Sequence, residues 1–313
     1  MIDEHDEYLH NGDHHEWLET FSFNFIDRKS TIFGCADIHY THQNKRVDYT
    51  WFLSVRGNTC LYENSAQLNE IHQVKSITVR GLRYRIVKPL KEFEIQLKGD
   101  SVSGDFFFSG VYPIYVYPPG HVDAWNNPLP KSIQLGDRYD QICSVTGKIR
   151  LKESRGNDIR EEGTCFGERE HSYGRMIKGI ACKSDLTIYF RDMSIKLSYL
   201  EIDGVTVTGG FISRRSGNVP ITAVELELFS YSRERGGFNF ASSEFSYRDA
   251  QDDMDLVVSE RIHQVDMPLP KNLRGKYVKF RSFSNFTIIG TNKRGVGMEN
   301  HFISVERIEK VNI

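Results

Sequence analysis

Hydrophobic and polar positions alternate with period two along most of this chain. Thr20-Phe21-Ser22-Phe23-Asn24-Phe25 sets aromatic residues against small polar ones in strict alternation. Successive side chains of a strand point to opposite faces, so this run predicts a strand with one apolar face. Comparable runs follow at residues 31–40, 49–55, 76–79, 83–87 and 93–97. Turn-forming residues punctuate them: Asp27-Arg28-Lys29-Ser30, Asn44-Lys45, Gly57-Asn58, Gly81 and Lys98-Gly99-Asp100. Only residues 65–73 carry a helical spacing in this half, enough for one short helix. A second series of runs occupies 140–151, 186–190, 195–202, 205–212, 223–230, 255–263, 277–284 and 287–289. Asp203-Gly204 is a two-residue hairpin signal, while residues 232–237 and 272–275 read as loops. Short strands at this spacing predict an all-β chain built as antiparallel barrels or barrel-like sandwiches.

Residues 113–138 interrupt the pattern with Pro113, Pro118, Pro119, Pro128 and Pro130. Proline cannot donate to a sheet ladder, so the stretch predicts a long connecting loop, which also carries His121, Asp123 and Trp125. The expected division is a polar N-terminal tail (1–16), an N-terminal β-barrel domain (17–138) and a C-terminal β-barrel domain (139–313). No repeat is visible in the letters.

Composition narrows the function classes. The chain has 313 residues, 39% hydrophobic and 26% charged, as in a globular protein with a substantial core. Forty basic against 42 acidic residues give a net charge of −2, so no basic excess points to nucleic acid. Twenty Phe and 15 Tyr suit β-structure and an aromatic interior. Cys35, Cys60, Cys143, Cys165 and Cys182 are widely spaced and contain no C-x-x-C, which predicts reduced thiols rather than a disulfide framework or zinc site. The opening Met1-Ile2-Asp3-Glu4-His5 has no apolar run, and no stretch reaches the ~18–20 apolar residues of a membrane span. A cytoplasmic protein without a membrane span is the expectation. The tail holds His5, His10, His14 and His15; a metal-binding tract is one reading, but without cysteines or a clear carboxylate spacing a flexible tail or a short surface helix is the expected one, and no metal or cofactor is expected.

The densest chemistry lies in Phe166-Gly167-Glu168-Arg169-Glu170-His171-Ser172-Tyr173-Gly174. On a strand, Glu168, Glu170 and Ser172 share one face, and Arg169, His171 and Tyr173 the other. Charged groups are rarely buried without a partner or a task. A buried Glu could act as general acid, His171 as acid or base near neutral pH, and Arg169 as a clamp for an anionic group. The same run could equally be a structural ion-pair network. Asp37 and His39 share a strand face as well, as a dyad, as two metal ligands or, the expected reading, as a solvated strand end before the Asn44-Lys45 turn. Gly295-Val296-Gly297 has no helix after it and predicts a close backbone approach or bulge in the last hairpin. Metalloprotease, nucleophile-elbow, phosphate-loop and dinucleotide motifs are absent.

In order along the chain, His15-Glu16-Trp17-Leu18-Glu19-Thr20, Phe23-Asn24-Phe25-Ile26-Asp27, Tyr139-Asp140-Gln141, Val145-Thr146-Gly147-Lys148-Ile149, the Gly167–Arg175 run and Gly295-Val296-Gly297-Met298-Glu299 resemble one family. It is the AttH-like and carotenoid 1,2-hydratase (hydroxyneurosporene synthase) superfamily, particularly a bacterial branch. That branch typically has Arg-Asp-His-Ser-Trp-Gly where this chain has Arg169-Glu170-His171-Ser172-Tyr173-Gly174. The resemblance implies two calycin-like (lipocalin-like) β-barrels and a pocket for an apolar isoprenoid or polyketide-derived molecule. Members include hydratases, tocopherol cyclase and decalin-forming cyclases. The expected function is a cofactor-independent cyclase, isomerase or hydratase. Glu170, His171 and Glu168 are its candidate catalytic residues, and Tyr173, Arg169, Trp17, Trp51, Trp125, Asp37 and His39 its candidate substrate contacts. A non-catalytic lipid or pigment binder is the alternative, and an interaction scaffold a third.

Overall fold

A computed structural model describes residues 3–10, 16–68, 75–120, 128–130, 133, 135–152, 158–175, 178–234, 237–269 and 271–311. The strands are β1 (Trp17–Ile26), β2 (Ile32–Thr41), β3 (Arg46–Val55), β4 (Asn58–Gln67), β5 (Ser76–Val79), β6 (Leu82–Lys88), β7 (Glu92–Lys98), β8 (Val102–Gly110), β9 (Tyr115–Val116), β10 (Asp137–Lys152) and β11 (Asp158–Arg175). They continue as β12 (Ile180–Tyr189), β13 (Ser194–Ile202), β14 (Val205–Arg214), β15 (Gly217–Glu234), β16 (Gly237–Asp249), β17 (Met254–Asp266), β18 (Tyr277–Ile288) and β19 (Arg294–Ser304), before helix α1 (Val305–Val311). The all-β class expected from the alternation is what the chain adopts.

Two compact units divide it: Met1–Tyr117 with Leu135–Met176, and Pro118–Gln134 with Ile177–Ile313. In the first, the strand order is β4-β3-β2-β1-β11-β10-β8-β7-β6-β5, with β9 beside β10. This barrel-like sheet nearly closes: Tyr49 Oη, on β3, donates to the Arg80 carbonyl in the β5–β6 turn at 2.8 Å. Its core gathers Phe21, Phe23 and Phe25 of β1 with Trp51, Tyr84, Phe93, Phe106 and Phe108. The second unit is a closed eight-stranded barrel, β12 through β19, with β19 pairing back onto β12. Its core includes Phe229, Phe240, Phe245, Phe280 and Phe286.

Several expectations are corrected. The boundary at 138/139 fails because β10 and β11 belong to the first unit, where β11 zips antiparallel onto β1 from Trp17↔Arg175 to Ile26↔Phe166. Long-range pairing of that kind leaves no mark on local composition. Residues 65–67 extend β4 instead of starting a helix, because Arg46↔Gln67 and its neighbours pair β4 to β3; residues 69–73 lie outside the described part. The proline-rich stretch is not all loop, since β9 pairs with β10 through Tyr139↔Val116 and Asp140↔Tyr115. His121, Asp123 and Trp125 lie outside the described residues, as do His14 and His15. Residues 277–284 and 287–289 are one strand, β18, and residues 232–234 continue β15. The N-terminal stretch begins with a short 3-10 helix, Glu4–Glu7, but its Glu7 is fully buried and so is not part of a surface tail.

Candidate acid–base site

The central strand of the first unit is β11, flanked by β1 and β10. Register sets His171 opposite Phe21 on one side and Tyr139 on the other, and Arg169 between Phe23 and Gln141. The alternation predicted for the Glu168–His171 run holds, and the two faces carry separate networks.

On the face shared with the aromatic core, the His171 ring is fully buried and stacks on Phe21 at 4.2 Å between centroids. Its Nε2 lies 2.6 Å from Glu19 Oε1, and its Nδ1 meets the Tyr139 hydroxyl. Glu19 is itself fully buried; its Oε2 accepts the His10 N–H at 2.9 Å, and its Oε1 lies 3.1 Å from His10 Nδ1. Tyr139 Oη also contacts the Asp6 carbonyl at 2.7 Å. The His10 ring stacks on Tyr173 at 3.6 Å, and Trp17 lies over Tyr173 at 6.3 Å. Arg169, two residues from His171, donates to Glu7 through Nη1 (3.1 Å) and Nη2 (2.5 Å) and to Gln141 Oε1 through Nε (3.1 Å). Its guanidinium also faces the Phe93 ring at 4.1 Å.

Charges in this interior follow from burial and pairing. Burial lowers the affinity of the His171 imidazole for a proton; the Glu19 contact opposes this, and the group sits below its ordinary value. Burial pushes the Glu19 carboxyl up, but hydrogen bonds with His10 and His171 outweigh it and hold Glu19 below the usual carboxylate range. Burial drives the Tyr84 and Tyr139 phenols well above theirs, so both remain protonated donors. Neutral His171 therefore donates from Nε2 to ionised Glu19. The single Tyr139 proton then has two acceptors, His171 Nδ1 and the Asp6 carbonyl. The cluster is one proton short of a complete set, and a proton added at Nδ1 fills it without moving a heavy atom.

On the opposite face, Arg138 pairs with Asp140 and Glu170, both at 2.9 Å, and Tyr117 Oη donates to Asp140 at 3.0 Å. Glu168 is buried beside them. Asp140 and Glu170 already hold the Arg138 cation, so Glu170 belongs to an ion-pair network, and Glu168 lies with it on the face away from His171. Asp37 accepts a 2.7 Å hydrogen bond from Ser22, and His39 Nδ1 lies 3.0 Å from Thr20 Oγ1. Ser22 and Asp37 are buried, so this is not a solvated strand end. Trp51 packs in the core against Phe106 at 5.3 Å.

The structure thus brings His171, Arg169, Tyr173 and Trp17 together and adds Glu19, Tyr139, Glu7, Gln141 and His10. Glu19 carried a signal that went unread: it falls in the same alternation phase as Phe21, Phe23 and Phe25, so a carboxylate stands in a row of core aromatics. Tyr139 and Gln141 likewise share a phase with buried Cys143 and Val145. Glu7 had no such marker.

Comparison with solved structures finds a similar fold in CghA (TM-score 0.68, 9% identity, covering 92% of this chain and 89% of that one). A protein assigned as AttH from Nitrosomonas europaea matches at TM-score 0.69 and 12% identity, covering 93% of each chain. Kievitone hydratase from Nectria haematococca matches at TM-score 0.63 and 7% identity, covering 92% and 89%. At such identities the likeness carries the fold, which is the AttH-like one the motifs suggested. A search of curated proteins returns no match. The family model for a domain of unknown function, DUF7064, matches residues 3–298, nearly the whole chain, and the chain belongs to that family.

Proposed function

We propose that this chain is an acid–base catalyst of the cyclase, isomerase or hydratase type, acting on a mainly apolar terpenoid or polyketide-derived molecule. His171 moves the proton, Glu19 orients and stabilises it, and Tyr139 completes the hydrogen-bond chain. The observation that carries this reading is the incomplete proton set around His171 on the aromatic-lined face of the barrel. A base of this kind takes a proton from one carbon and returns it to another, or delivers to an alkene a proton whose place is refilled from water. A positioned acid–base group of this type contributes about 10²–10⁴-fold to rate.

Binding contacts are available on the same face. Tyr40 Oη, Trp51 Nε1 and Tyr84 Oη are buried and have no hydrogen-bond partner among the described residues. Each such orphan costs about 1–3 kcal/mol, which a substrate oxygen would recover. Residues 3–10 border the site, with Tyr8 and Leu9 packed on the aromatic core. The name of one structural neighbour, kievitone hydratase, is compatible with this chemistry and supplies no substrate for this chain.

The test is a panel of terpenoids and linear polyenes incubated with the protein, with products read by mass as isomers or as gains of one water. His171→Gln and Glu19→Gln each reduce turnover by about 10²-fold or more, whereas Glu170→Gln leaves it within a few-fold. Unchanged turnover in the first two variants would remove His171 and Glu19 from the mechanism. Saturable binding with no turnover anywhere on the panel would make the chain a carrier instead.

A further inference from the structure

His10, Glu19 and His171 present a second chemistry in addition to proton transfer. Their ligand atoms, Nδ1, a carboxylate oxygen and Nε2, all lie within 4.8 Å of one another. Two imidazoles with one carboxylate form the donor set of many zinc and ferrous sites that keep an open position. Spacing is already close: Glu19 Oε1 is 3.1 Å from His10 Nδ1 and 2.6 Å from His171 Nε2. A tetrahedral ion with bonds near 2.1 Å spaces its ligands roughly 3.4 Å apart. Against that spacing, His10 has to move from Glu19 by about 0.3 Å, which a side chain 23% exposed can do, and the buried Glu19–His171 contact has to lengthen by about 0.8 Å.

The surroundings are those of a metal site's outer shell. Metal-bound histidines donate their other ring N–H to a fixed acceptor. When Nε2 binds an ion, the His171 proton resides on Nδ1 and is donated to Tyr139 Oη, and the Tyr139 proton goes to the Asp6 carbonyl. The hydrogen-bond shortage described above disappears. Glu19 keeps its second oxygen on the His10 N–H. Stacking on Tyr173 fixes the His10 ring plane. By contrast, in the other cluster of close ligand atoms, Asp140, Glu168 and Glu170, two of the carboxylates are already paired with Arg138.

We propose that His10, Glu19 and His171 bind one divalent transition-metal ion of the Zn²⁺ type, and that the bound ion blocks the acid–base pair by occupying His171 Nε2 and Glu19. The regulatory half of this proposal rests on the acid–base reading; the binding half does not. The ion forms coordinate bonds only, with no change in oxidation state and no net proton release when both histidines start neutral.

The experiment uses the full chain stripped with a chelator. Co²⁺ is titrated and followed by its visible absorption, and Zn²⁺ by calorimetry. One ion binds per chain, and His10→Ala and Glu19→Gln each weaken binding about tenfold or more, while His5→Ala, at an exposed position outside the cluster, does not. Because His10 is on the rim, His10→Ala keeps the fold, and circular dichroism verifies that. No saturable 1:1 binding in the parent protein, or parental affinity in both His10→Ala and Glu19→Gln, overturns the site. Binding that leaves panel turnover unchanged overturns the blocking role alone. If no panel substrate is turned over, exchange of the His171 ring N–H signals followed by NMR with and without Zn²⁺ decides that role, since an ion on Nε2 removes that proton from exchange.

Discussion

A guanidinium as deeply buried as that of Arg169 keeps its charge because Glu7 meets it with both carboxylate oxygens. Burial works against the cation, and the surrounding groups, the Glu7 carboxylate foremost, together more than offset it. Removing one partner of such a pair strands the other in an apolar interior, which typically costs 3–5 kcal/mol. Glu7→Ala is therefore expected to lower unfolding free energy by about 3–5 kcal/mol in urea titrations. Arg85→Ala, which breaks the half-exposed pair to Glu94, should cost less than about 1 kcal/mol. Equal losses for the two would mean that Glu7 is not the anchor of the N-terminal segment. Glu7 also shows why one site residue could not be read from sequence. It lies 162 positions from Arg169, in a polar stretch whose letters match any surface tail.

At the level of elements, the last long strands of the two sheets are built alike. β11 pairs with β1 and β19 with β12, each bringing the last strand of its sheet back to the first. Each carries a buried histidine four residues after a glycine: Gly167 and His171, Gly297 and His301. Phe25↔Gly167 and Phe21↔His171 in one match Ile188↔Gly297 and Ser184↔His301 in the other. His301 Nδ1 lies 2.8 Å from Ser184 Oγ, and its Nε2 3.2 Å from Glu299, so each barrel holds a buried Glu–His contact. The repeat missing from the letters is present in the register. The glycines have a common cause, close approach of the neighbouring strand. A Cβ at Gly297 would sit 2.1 Å from the Thr187 carbonyl oxygen, and one at Gly167 2.2 Å from a Val145 methyl. Backbone yields less than a side chain, so Gly297→Ala should destabilise by more than Gly167→Ala, each in the range of about 1–3 kcal/mol in thermal or urea melts. The reverse order would place the tight contact elsewhere. The expectation for Gly295-Val296-Gly297 as a close-approach strand is met, as is the face assignment of the Glu168–His171 run, because both depend only on period-two geometry.

For the molecule as a whole, buried titratable groups tie stability to pH. His171 and His263 sit below their ordinary value of 6.5, in both cases chiefly because burial disfavours the charged form. Glu19 is also held below its ordinary 4.5. The unfolded chain then binds protons before the folded one does, and stability rises with pH wherever that holds. Full stability is expected above pH 6.5, with a first loss as pH falls through the histidine range and a second below 4.5. Urea midpoints measured in chelator-containing buffer across this range check it, and His171→Gln should flatten the first loss. A midpoint that rises on acidification would contradict the assignment of buried neutral histidines. The same division of causes separates sequence from structure. Strand content, the all-β class, the two faces of β11 and the presence of an ionisable cluster follow from local alternation, since side-chain direction along a strand is fixed by chain geometry alone. Which distant strands pair in each sheet, where one unit ends and the next begins, and which carboxylate meets His171 depend on pairings such as β1 with β11, spanning more than a hundred residues. Local periodicity carries no information about so distant a partner, because only packing of the whole sheet selects it. The pairing of His171 with Glu19 therefore belongs to the fold, although both residues stand plainly in the sequence.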